Sequence, residues 1–92
     1  MEMNMSGPTV DMVEVVVRNL HDAHPTMPQA TLEDVMQALD PTAAAMVRAG
    51  MVERIAWAES VSNMIKDLGR NGRLKVELVP DERGYENPVI HF

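Results

Sequence analysis

The stretch Val61-Ser62-Asn63-Met64-Ile65-Lys66-Asp67-Leu68-Gly69-Arg70-Asn71-Gly72-Arg73-Leu74 decides the fold, because the hydrophobic period changes inside it. Val61, Ile65 and Leu68 fall at i, i+4 and i+7, one face of an α-helix. Gly69 offers a C-cap, and Gly72 supplies the left-handed backbone that turns the chain. From Leu74 the period becomes two, with Leu74, Val76 and Leu78 alternating against Arg73, Lys75 and Glu77, as in a strand with one buried face. Pro80-Asp81-Glu82-Arg83-Gly84 then reads as a turn, and residues 85–92 as a returning strand with Ile90 and Phe92 on one side. Pro88 lacks a backbone donor, which predicts an edge position for that strand.

Upstream of this stretch the helical period continues, with Ile55, Ala58 and Val61 on the same stripe from 52 to 68 and Trp57 and Met64 beside it. Asp40-Pro41 is a start signal, a capping acid before a proline at the first helical position, and it leads into the Ala-rich 43–47. Gly50 either separates this helix from the next or is tolerated inside one long helix, since glycine costs only about 1 kcal/mol relative to alanine. Thr31 to Asp34 forms a capping box with Asp in place of Glu, ahead of Leu32, Val35, Met36 and Leu39 at helical spacing. A further helix is expected from a Thr9 cap through Val10, Val13, Val16, Val17 and Leu20, ending before His24-Pro25. The opening residues 1–8 have no periodicity and are expected to form a flexible arm, leaving 9–92 as a single domain.

Composition narrows the function classes. In 92 residues there is no cysteine, so neither a disulfide framework nor a thiolate metal site is available. No apolar run approaches the roughly 20 residues of a membrane-spanning helix, and no basic-then-apolar leader is visible, so a cytoplasmic location is expected. The formal charge of −6 is unevenly distributed. Residues 1–40 hold seven acids against Arg18 alone, which gives −6, and residues 41–92 sum to zero. Within the latter, residues 60–75 hold Lys66, Arg70, Arg73 and Lys75 against Asp67, a local +3. An acidic chain is a poor nucleic-acid binder unless such a patch faces the phosphates.

The order of helices and terminal hairpin, and above all the spacing of Val61, Ile65, Leu68, Gly72 and Leu74, resembles the winged helix-turn-helix superfamily. The resemblance implies a mostly helical α+β fold with an extra N-terminal helix and a C-terminal two-stranded wing from Arg73 to Phe92. One departure is visible: family members join the second helix to the recognition helix by a turn of three or four residues, and here the Ala-rich segment intervenes. Either that segment is the second helix, with Gly50-Met51 as the turn, or it is an insertion.

The resemblance implies a small DNA-binding regulator, in which the outward face of the recognition helix and the wing would contact duplex DNA. Ser60 and Asn63 would then face base edges, Lys66, Arg70, Arg73 and Lys75 would neutralise phosphates, and Arg83 at the wing tip would probe a minor groove. Glu53 and Glu59 are unfavourable near phosphate, which pushes the contact toward the C-terminal half of the helix. An apolar stripe of Val13, Val17 and Leu20, together with the single Trp57, suggests a homodimer interface, because a short chain gains from added burial. The alternative expectation is an acidic winged-helix module, a regulatory subunit or inhibitor, whose N-terminal half meets a basic protein and which binds no DNA. No catalytic order, phosphate loop or metal motif is present, so neither an enzyme nor a cofactor is expected. His21 and His24 lie beside Pro25 with no third ligand near in sequence, and metal binding is not expected there.

Overall fold

A computed structural model describes residues 8–92. All but the last residue of the expected N-terminal arm lies outside these. Four helices and three short strands follow in the order α1 (Val10–Ala23), β1 (Gln29–Thr31), α2 (Leu32–Leu39), α3 (Pro41–Arg48), α4 (Val52–Arg70), β2 (Lys75–Pro80) and β3 (Glu86–His91). The strands form one antiparallel sheet in the order β1-β3-β2.

Local chemistry accounts for the helix boundaries. Thr9 Oγ1 accepts from the Met12 N–H at 3.2 Å and starts α1. The Thr31 hydroxyl accepts from the Asp34 N–H while the Asp34 carboxylate accepts from the Thr31 N–H, a reciprocal capping box that opens α2. Asp40 accepts from the Ala43 N–H, with Pro41 as the first residue of α3. The helices α3 and α4 end alike. Gly50 and Gly72 have φ of 81° and 75°. In each case the N–H after the glycine bonds back to a carbonyl five residues earlier, Met51 to Met46 and Arg73 to Leu68. This Schellman geometry satisfies carbonyls the helix would leave unpaired. Gly50 therefore separates two helices.

The core consists of Val13 and Val17 from α1, Ala30 from β1, Val35 and Met36 from α2, Ala44 from α3, Val61, Ile65 and Leu68 from α4, and Ile90 from β3. These faces follow the spacing read from the sequence except at Ile55 and Leu78, which were expected on buried faces and are 43% and 42% exposed, because the start of α4 and the turn end of β2 extend past the core. Aromatic residues are few, and aliphatic side chains fill the interior, with Trp57 and Phe92 packed against it from the margin. His21 stacks on Phe92, centroids 4.4 Å apart, which ties the end of α1 to the end of the chain.

Four further expectations are corrected. The sheet has three strands instead of two, because Gln29–Thr31 pairs with Val89, Ile90 and His91. Three residues are too few to show an alternation, and Thr31 serves both as the last strand residue and as the helix cap. Pro88 accordingly lies in the central strand, buried, and not at an edge. Phe92 donates its N–H toward β1, to the Pro28 carbonyl at 3.2 Å. By strand alternation, position 88 also faces that side. Its partner there would lie beyond Thr31, where β1 has already ended, so the missing donor breaks no ladder bond.

Gly69 is interior to α4 and does not cap it. A Cβ at this position would stand 2.7 Å from Val76 Cβ, so the glycine is required by the close approach of β2 to the helix. Val13 and Val17 are 0% and 1% exposed in the single chain. The stripe that suggested a dimer is covered by the chain's own core, and the physical reason for expecting a second copy there is removed. Leu20 and Trp57 are half-buried.

Candidate functional site

The outward face of α4 and the turn of the β2–β3 hairpin enclose an open groove of about 420 Å³. One wall is a helical stripe of Ile55, Ala58, Glu59, Ser62, Asn63 and Lys66; the other is Asp81, Tyr85, Glu86 and Asn87, with Leu32 of α2 at the floor. The helix presents this stripe because Val61, Ile65 and Leu68 hold its opposite face on the core.

Asp81 shapes the hairpin wall. One carboxylate oxygen accepts from the Arg83 and Tyr85 N–H groups at 2.9 and 3.0 Å, and the other from the Asn87 amide at 3.3 Å. Partial burial raises its carboxyl, but the bonds from Arg83, Asn87 and Tyr85 together outweigh this and hold it below the ordinary aspartate range. Gly84, at φ 86°, completes the turn.

The residues expected to meet DNA separate into different environments. Asn63 and Lys66 share the groove. Ser60 is exposed on α4, Lys75 is exposed at the start of β2, and Arg83 is exposed in the hairpin turn. Arg70 pairs with Asp67 one turn earlier on its own helix. Arg73 binds two carboxylates of α1, Asp11 at 3.1 Å and Glu14. Its guanidinium is held charged by hydrogen bonds first to Asp11 and then to Glu14. Glu14 also takes Arg18 at 2.7 Å. The Arg18 bond, and after it Arg73, keeps the Glu14 carboxyl below the ordinary glutamate range despite desolvation that raises it.

The local +3 is thus reduced at the surface, because Arg73 is matched by two acids of α1. Acids from the first forty residues fold onto Arg73, while in the groove Lys66 faces Glu59, Asp81 and Glu86, three carboxylates to one ammonium. The sequence reading passed over Ser62, Tyr85 and the hydrogen bonds by which Asp81 closes its turn, and it placed Ile55 on the buried stripe. An aspartate opening a turn that ends in glycine was the available signal for those bonds. The apolar wall had no local signal, since Ile55 and Tyr85 are 30 residues apart in sequence.

Among the described residues no group of three or more His, Asp or Glu is arranged to hold a metal, and no helix is long and apolar enough to cross a membrane. His91 lies on β3 with Nε2 2.7 Å from the Glu77 carboxylate of β2. Compared with family models, curated proteins and solved structures, the chain matches none.

Proposed function

We propose that this chain is a winged-helix-like interaction module that binds another protein through the groove between α4 and the β2–β3 hairpin. The layout supports the winged-helix part of the reading: a short strand β1 before α2 joins a hairpin that directly follows a long helix, with α3 between α2 and that helix. The balance of charge in the groove carries the functional part. A surface that presents Glu59, Asp81 and Glu86 with one lysine repels a polyanion, and phosphate neutralisation is what drives most non-specific DNA affinity.

The duplex-DNA reading has one observation in its favour. Asn63 and Lys66 lie together on the outward face of the helix that precedes the hairpin, where a recognition helix would present them, and Ser60, Lys75 and Arg83 are exposed. A titration of the full chain with a fluorescent duplex at ~50 and ~200 mM salt separates the two, because binding through phosphates falls steeply over that range. The interaction-module reading expects no salt-sensitive binding. Saturable binding whose salt slope shrinks by about one on replacing Lys66 with alanine would replace it with the DNA reading.

A further inference from the structure

We propose that the occupant of the groove is an extended cationic segment of a partner protein with an apolar side chain as its anchor. This rests on the interaction-module reading and adds the chemistry of the partner. The groove does not end at the hairpin. Leu32, Asp81 and Asn87 also line a neighbouring depression of about 380 Å³, whose other walls include Met36, Val79, Pro80 and Val89. The two depressions share Leu32, Asp81 and Asn87 and together form a trough beside α4 and the turn end of the hairpin.

Three apolar side chains on this path are substantially solvated: Ile55 at 43%, Tyr85 at 66% and Val79 at 40% exposure. Solvated apolar surface in a concave setting favours an apolar anchor, and an aromatic residue such as Tyr85 suits both an aliphatic side chain and a cation. The charge in the trough selects the rest of the ligand. Asp81 is committed to the hairpin turn through its three hydrogen bonds. Glu59 and Glu86 have no ion-pair partner among the described residues and stand on opposite walls. A segment with lysine or arginine on either side of one apolar residue meets a carboxylate on each wall and Ile55, Leu32 and Tyr85 between them. A nucleic acid meets the same carboxylates as repulsion. A second copy of this chain, at −6, is also disfavoured.

Lys66 gives the inference an uncommon sign. It lies in the trough as the one cation, so its removal strengthens binding of a cationic segment and weakens binding of DNA. The test is an amide chemical-shift titration of the isotope-labelled full chain at ~50 mM salt, where charge contacts are least screened. Three probes are used: the blocked peptide Lys-Lys-Leu-Lys-Lys, its counterpart with Glu for each Lys, and a short DNA duplex. The expected result is saturable shifts confined to Leu32 and residues 55–66 and 79–87 with the lysine peptide alone. The Glu59→Lys/Glu86→Lys double variant, whose fold is checked in its own amide spectrum, weakens this binding about tenfold or more, equivalent to ~1.4 kcal/mol. The Lys66→Ala variant tightens it.

Absence of saturable shifts, shifts spread over Asp11 and the rest of α1, or indifference to the double variant overturns the cationic occupant. Shifts in the trough that appear when the chain alone is concentrated make a second copy the occupant, which overturns the cationic segment while leaving a protein-binding face. Duplex binding at the same residues, weakened by Lys66→Ala, overturns both this inference and the interaction-module reading.

Discussion

The two faces of α4 are governed by different physics. On the inner face Val61, Ile65 and Leu68 are all 0% exposed, and Gly69 admits the Val76 side chain of β2, whose Cβ would stand 2.7 Å from a Cβ at position 69. Shape and volume decide that side. On the outer face Glu59, Ser62, Asn63 and Lys66 meet the hairpin wall across open solvent, and charge decides what binds there. One helix thus serves as the scaffold's central beam and as half of its candidate site. The comparison teaches that the site can be altered without disturbing the beam, since side chains opposite the core contribute little to folding.

The most forceful way to break that separation is to enlarge the consequence on the inner face. Ile65→Ala removes a fully buried side chain at the junction of α1, α4 and the sheet, and a loss of about 2–5 kcal/mol is expected in urea unfolding. A loss below 1 kcal/mol would mean that the inner face is not close-packed. Gly69→Ala comes next. Overpacking against Val76, met at its branched Cβ and not at a flexible end, costs about 1–3 kcal/mol. Improved helix propensity returns about 1 kcal/mol. A net destabilisation is expected, and a gain in stability would show that β2 does not need so close an approach.

A third measurement sharpens where the two regimes meet. Glu14 is only 12% exposed, yet its carboxylate serves Arg18 and Arg73. Because its folded-state pKa is depressed, chiefly by the Arg18 hydrogen bond and then by Arg73, its contribution is present above the unfolded-state value and disappears as the pH falls through the folded one. Glu14→Gln should therefore separate from the parent protein most clearly near neutral pH, with the two unfolding midpoints converging in acid. A gap that stays constant with pH would assign the effect to packing. The smallest effect belongs to the outer face: Asn63→Ala and Lys66→Ala should each change stability by no more than about 0.5 kcal/mol in the same assay. A larger loss would place these residues in the scaffold and not in the site.

Much of the fold was legible in the chain because its causes are local. Thr9, the Thr31 and Asp34 pair, Asp40-Pro41 and Gly72 act within a few residues, and the spacing of Val61, Ile65 and Leu68 needs only the helical period. The candidate site was legible in half. Asn63 and Lys66 were found from the outward face of their helix, whereas the opposing wall of Tyr85 and Glu86 depends on how the hairpin leans against α4. Arg73 shows the limit most clearly. Its neighbours in sequence mark it as part of a basic patch, but its partner Asp11 is 62 positions away, brought close by the packing of α1 on α4.

By itself, the sequence determined where α1, α2 and α3 start, that Val61, Ile65 and Leu68 turn inward, and that a hairpin follows the longest helix. Those features rest on hydrogen bonds and hydrophobic spacing within one or two turns of chain. Only the tertiary structure decided that three residues before α2 complete a sheet with Pro88 in its central strand, that Gly69 is a contact and not a cap, and that Arg73 is met by Asp11 and Glu14 of the first forty residues. Each of these is set by groups far apart in the chain, and Coulomb forces and steric contact act on distance in space, whatever the separation in sequence.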